Sequence, residues 1–153
     1  MTVVSDTTAL TTWLKVGHEG LLEKLFDRVL SPSTVERELR AYHATLPPFC
    51  QIRPIAASDR LQRLLQEADA GEAEAICLAV EVQAQLLLIE DKKGRQLAEA
   101  EGLRCLGLPA VLLQAKRSGL ISSLAEMLDQ IEKRGNFGLS GSARMAVLRQ
   151  AGE

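Results

Sequence analysis

The sequence predicts an α/β protein with a central parallel sheet and helices on both of its faces. Three observations carry that prediction. Short apolar runs, chief among them Thr2 to Ser5 and Leu86 to Ile89, alternate with helical segments, the pattern of parallel α/β sheets. The segment from Glu72 to Val82 is apolar around nearly its whole circumference, as a buried helix must be. Asp6 and Asp91 each close a strand-like run, and function in such sheets collects at the carboxyl ends of strands.

Thr2-Val3-Val4-Ser5 is a run suited to a central parallel strand. Asp6-Thr7-Thr8 supplies N-cap chemistry for a short helix from Ala9 to Val16, ended near Gly17. Gly20 to Phe26 reads as a second helix, and Arg28 to Leu30 as a brief strand stopped by Ser31-Pro32. Pro32 suits a first helical turn and starts a helix running to about Ala44. After Pro47-Pro48, Gln51 to Ile55 reads as an edge strand, and Ser58-Asp59 caps a helix to about Ala68.

Gly71 opens the apolar helix from Glu72 to Val82, and Leu86 to Ile89 is the clearest strand. An amphipathic helix from Asp91 to Glu101, a strand from Leu103 to Leu106 and a helix from Pro109 to Ser118 follow. Beyond Gly119 the chain turns all-helical: Leu120 to Lys133, then a last helix from about Ser140 after Gly135-Asn136-Phe137-Gly138. Residues 1–118 read as the main domain, and 119–153 as a helical extension packing on it.

A chain of 153 residues is enough for one domain with a real core. Aromatics make up only 3%, so Leu, Val, Ile and Ala must fill that core. The net charge of −2 gives no global pull toward nucleic acid or an anionic membrane. Bound cations can still reverse the field inside an acidic cleft. Cys50, Cys77 and Cys105 are odd in number and show no zinc spacing, which fits a reducing cytoplasm. No apolar stretch approaches the roughly 20 residues that span a bilayer, and no leader precedes Val3. The expectation is a soluble cytoplasmic protein with no membrane partner.

Four acidic stations remain: Asp6, Glu38, the pair Glu72 and Glu74, and Asp91. Each has an ordinary structural reading. Asp6 and Asp91 suit helix caps, and acids in a first helical turn complement the dipole, as Glu72 and Glu74 do. At about 100° per residue, Glu38 lies about 60° from the stripe Val35, Leu39 and Tyr42, whereas Glu36 points away. Together they crowd carboxylates where desolvation is costly. A divalent cation is the compensator that serves several carboxylates at once. Carboxylate oxygens and water are the ligands hard cations prefer, so metal-assisted chemistry is the leading expectation.

In order along the chain, Val3-Val4-Ser5-Asp6-Thr7-Thr8, Pro32 to Leu39, Gly71-Glu72-Ala73-Glu74-Ala75-Ile76 through Ala79, and Leu86 to Arg95 resemble the PIN-domain nucleases. That group includes the toxin components of VapBC-type toxin–antitoxin pairs, and the likeness covers about residues 2 to 118. The resemblance implies a three-layer α/β/α fold and Mg²⁺- or Mn²⁺-dependent cleavage of RNA. It also implies an antitoxin protein as partner, and we expect a homodimer.

By position, Asp6, Glu38 and Asp91 match the family's first, second and last acids. The third is Glu72 or Glu74, with Glu72 favoured because Ala79 then falls on a small position. The metal set on this reading is Asp6, Glu72 and Asp91. Glu90 stands where the family often has Thr or Asp, and Thr7 or Thr8 matches a hydroxyl that steadies the site.

Phosphates would be held by Lys15, Arg37, Arg40, Lys92, Lys93 and Arg95. Such contacts position a strand without reading it. With one Trp and one Tyr, base stacking is not the main mode of recognition. No Ser-His or Cys-His arrangement exists, and His18 and His43 read as loop or surface residues. Two rivals stand beside the nuclease: a catalytically silent PIN-like module that binds RNA or protein, and a receiver-like or phosphatase domain. The second lacks a DxDxT run.

Overall fold

The computed structural model describes residues 1–42, 45–134 and 137–153. The sheet is all-parallel and five-stranded, in the order β3-β2-β1-β4-β5. Its strands are β1 (Val3–Ser5), β2 (Val29–Ser31), β3 (Cys50–Ile52), β4 (Leu86–Leu88) and β5 (Cys105–Leu106). The helices described are α1 (Thr7–Val16), α2 (Gly20–Phe26), α3 (Ser33–Arg40), α4 (Asp59–Leu65), α5 (Ala70–Glu81), α6 (Lys92–Ala100), α7 (Leu108–Arg117), α8 (Leu124–Arg134) and α9 (Gly141–Gln150).

Because successive strand residues point to opposite faces, each strand feeds two cores. Val3, Val29, Leu86 and Leu88 pack with Trp13, Leu22, Leu39, Leu112 and Leu128. Val4, Leu30, Leu87 and Ile89 pack with Leu64, Ile76, Leu78 and Ala98 on the other face. Helices α4, α5 and α6 cover this second face, and the remaining helices the first. The result is the predicted three-layer α/β/α fold.

The strand order places the site. The chain steps outward from β1 through β2 to β3, then returns to the other side of β1 as β4. The reversal lies between β1 and β4, the switch point at which doubly wound sheets open a crevice. Val3 pairs with Leu86 and Ser5 with Leu88, and the Asp6 N–H donates to the Leu88 carbonyl at 3.2 Å. Asp6 therefore leaves the sheet beside the residues that follow β4.

Several boundaries differ from the sequence expectation, each for a local reason. Helix α1 begins at Thr7, because Asp6 rather than Thr7 or Thr8 is its cap. Gly17 ends it in the left-handed region, at φ 73°, where glycine is the cheapest residue. Strand β3 stops at Ile52: the Arg53 N–H still donates to Ser31, but Pro54 has none to offer.

Helix α3 ends at Arg40, and the expected continuation to Ala44 falls partly on His43 and Ala44, outside the described residues. Tyr42 is 85% exposed and does not join the buried stripe, which consists of Thr34, Val35 and Leu39. Gly135 and Asn136 of the expected break after α8 also lie outside the described residues.

Leu124, Leu128 and Ile131 of α8 and Val147 of α9 are buried in the core that holds Trp13. The Glu153 carboxylate closes this region, accepting from the N–H groups of Leu124 (2.7 Å) and Ala125 (3.2 Å) and from Lys116 Nζ (2.9 Å). Among the described residues, no helix is long and apolar enough to cross a membrane.

Candidate active site

Asp6 is the centre of the site, placed there by its position at the end of a strand buried on both faces. Its Oδ1 caps α1 by accepting from the Ala9 N–H at 2.9 Å. Its Oδ2 is buried with no partner. Removing a carboxylate from water disfavours its charged form, and burial is the main reason its pKa rises from 3.8 to about 7. The cap bond opposes that rise, while the negative charges of Glu72, Glu90 and Asp69 add to it. Beside it the Thr7 Oγ1 is also buried and unpartnered.

Helix α5 delivers the next acid. Asp69 caps it, its Oδ1 accepting from the Glu72 N–H at 2.8 Å. Glu72 is half-buried, and its pKa is raised first by burial and then by Asp69, Asp91 and Glu38. Gly71 lets α5 lie against α3: a β-carbon there would stand 2.9 Å from Thr7 Oγ1 and 3.1 Å from Glu38 Oε1. Glu38 is exposed on α3, at the mouth of the site rather than within it. Asp91 caps α6 through Oδ2, which accepts from Gly94 at 2.8 Å, and is otherwise exposed.

Asp6, Glu38, Glu72 and Asp91 thus lie at one end of the sheet. Among the described residues, however, no three Asp, Glu, His or Cys side chains stand close enough to hold a metal ion as placed. A family model described as a PIN domain matches residues 2–153. The chain belongs to the PIN-domain family. That family is generally one of nucleases, so hydrolysis of nucleic acid is the activity its fold serves. No curated protein matches the chain.

In this PIN domain the two candidates for the third acid part company. Glu74 accepts a hydrogen bond from Thr34 on α3, and Thr34 Oγ1 in turn accepts from Arg37 Nη2 at 2.9 Å. Glu74 therefore ties α5 to α3, while Glu72 faces the other acids.

Two further acids stand beside these. Asp69 was legible as an N-cap three residues before Glu72, the spacing of a capping box. Glu90 lies just past β4, after Ile89, and is half-buried. Its Oε1 accepts from the Leu108 N–H at 2.5 Å, capping α7. Burial pushes its pKa to about 7, against the lowering effect of that N–H and of Arg95. The signal for Glu90 was its adjacency to a buried strand end, but only the packing of α7 gives it a partner.

The expected phosphate-binding groups divide as well. Lys92 and Lys93 are exposed at the start of α6, whereas Arg95 is half-buried near Glu90. Arg40 pairs with Glu36 at 3.3 Å. Thr8 is exposed, and its carbonyl accepts from Thr12 Oγ1 at 3.1 Å. His18 shares a hydrogen bond of 2.8 Å with Gln130 of α8, a structural role. His43 lies outside the described residues.

Proposed function

We propose that this PIN domain is a metal-dependent endoribonuclease that hydrolyses RNA phosphodiester bonds. The observation that carries the proposal is the buried, unpartnered Asp6 Oδ2 surrounded by further acids. An acceptor desolvated among like charges is costly unless a cation completes it, and an all-oxygen donor set suits Mg²⁺ or Mn²⁺. Asp6, Glu72 and Asp91 are the proposed ligands, and Thr7 steadies the site. Glu72 and the exposed Asp91 must rotate toward Asp6 to complete the set, since among the described residues no three acids stand close enough to ligate as placed.

Bound there, one or two such ions would activate water and neutralise charge on the attacked phosphate and the leaving oxygen. Glu38, at the mouth, orients the attacking water. Lys92, Lys93 and Arg95 hold the strand's phosphates. Water adds to phosphorus as the bond to one ester oxygen breaks, and no protein nucleophile is required. A toxin role, with an antitoxin partner and a homodimer, rests on the resemblance alone. A neighbouring gene for a small DNA-binding antitoxin would support it.

Cleavage of RNA with Mn²⁺, with and without chelator, tests the reading. Asp6→Asn should abolish the metal-dependent activity, and full activity in that variant would refute the assignment. One observation favours a second reading, a silent RNA- or protein-binding module: the acids are not already in ligating positions among the described residues. Calorimetric titration with Mn²⁺ separates the two, because a binding-only relic should show no micromolar site.

A further inference from the structure

We propose that the groove between α1 and the end of α3 is a nucleotide subsite for the RNA strand. In it, the Tyr42 ring stacks on a base and the Lys15 ammonium meets a neighbouring phosphate. This rests on the nuclease reading above and specifies how that site holds its substrate. The groove is a cavity of about 690 Å³ lined by Thr7, Thr11, Lys15, Glu38, Ala41 and Tyr42. Its volume falls within the roughly 300–1,000 Å³ of small-molecule sites.

Three observations select this occupant. The groove is continuous with the acidic site, since Thr7 and Glu38 belong to both, and the Thr7 Oγ1 is buried without a partner. It brings a basic side chain to an acidic mouth, as a polyanion bound beside cations requires. It also carries an anomalous ring. The chain is poor in aromatics and buries Trp13 (1% exposed), Phe26 (3%) and Phe49 (6%), yet leaves its single Tyr 85% exposed. A ring left in water forfeits its burial energy, and a π-face beside a phosphate contact is the platform single-stranded RNA uses. One stack of this kind fixes a base without reading it, so recognition still rests mainly on shape and phosphates.

The test is binding of a fluorescein-labelled single-stranded RNA of about 12 nucleotides, in chelator, followed by anisotropy. Tyr42→Ala should weaken binding about tenfold, a stacking contribution within the usual range, while Tyr42→Phe stays within about twofold of wild type. Lys15→Gln should flatten the dependence of log K on log salt by about 0.7, the loss of one phosphate contact. Because Tyr42 is exposed, an unchanged Tm should accompany these effects.

Binding by Tyr42→Ala within twofold of wild type overturns the subsite, as does a Phe variant as weak as the Ala one. Mn²⁺-dependent cleavage by wild type alongside that result leaves the nuclease reading standing. Tyr42-dependent binding without any cleavage does the reverse. Wild-type protein that binds no RNA overturns the subsite outright.

Discussion

Gly71 and Thr7, far apart in the chain, stand so close that a β-carbon on Gly71 would lie 2.9 Å from the Thr7 hydroxyl oxygen. The same β-carbon would meet Glu38 Oε1 at 3.1 Å. Glycine at this position is what lets the first turn of α5 approach α1 and α3. It holds three elements of the site at contact distance.

Gly71→Ala separates fold from function. In an ordinary helix the substitution stabilises by about 0.5–1 kcal/mol. Here the methyl displaces the Thr7 hydroxyl and the Glu38 carboxylate, so the variant should stay folded with little or no gain in Tm. RNA cleavage should fall about tenfold or more, because small displacements of positioning groups are costly to rate. Wild-type activity in a folded Gly71→Ala protein would show that Glu38 and Thr7 need not hold these positions.

Asp6 makes metal-free stability depend on pH. Its folded-state pKa of about 7 lies above the ordinary 3.8, so the folded chain binds this proton more tightly than the unfolded chain. The cost of Asp6 is therefore absent below about pH 3.8, grows as pH rises, and levels off above about pH 7. Asp6→Asn keeps an acceptor for the Ala9 N–H and removes the charge. In chelator at pH 8 it should melt above wild type by a margin worth a few kcal/mol, narrowing as pH falls toward 4. Adding Mn²⁺ should raise the wild-type Tm and leave the variant's unchanged. A lower Tm for Asp6→Asn in chelator at pH 8 would contradict this account of Asp6.

The third acid is decided by comparing neighbours. Glu72→Gln should leave the fold intact and abolish metal-dependent cleavage. Glu74→Ala takes the acceptor from the buried Thr34 hydroxyl, and should cost about 1–3 kcal/mol in urea unfolding. Cleavage by folded Glu74→Ala protein should stay within about tenfold of wild type. Reversed roles, with Glu74 essential and Glu72 dispensable, would move the metal site toward α3.

Glu153 gives the opposite pH signature. The hydrogen bond from Lys116, followed by that from Leu124, lowers its pKa from 4.5 to about 2. A carboxyl whose folded value is depressed contributes stability above its unfolded pKa and loses it as pH falls through the folded one. Glu153→Gln should therefore lower Tm at pH 7, with the deficit closing between about pH 4.5 and pH 2. An equal deficit at both ends of that range would mean that the bonds, and not the charge, do the anchoring.

How much of the site was legible depended on whether its determinants were local. Asp6 and Asp91 could be found because each closes an apolar run, and a strand end is visible in a few residues. Glu38 was located by helix phase, though its supposed neighbour Tyr42 proved to lie past the end of α3, on the surface. Glu90 is legible as the acid before Asp91, but its half-burial is not, because its partner, the Leu108 N–H, is distant in sequence. The choice between Glu72 and Glu74 could not be made from phase, since on an all-apolar helix every face is a buried face.

The sequence by itself determined the alternation of strands and helices, the two-faced burial of β1 and β4, and the presence of acids at strand ends. These follow from periodicity and composition, which act over a few residues at a time. Only the tertiary structure decided that β4 returns beside β1 and that Gly71 seats against Thr7. The same packing left Asp6 Oδ2 without a partner. Those facts come from contacts between segments more than sixty residues apart, where packing and desolvation rather than local propensity set the charge a carboxylate can carry.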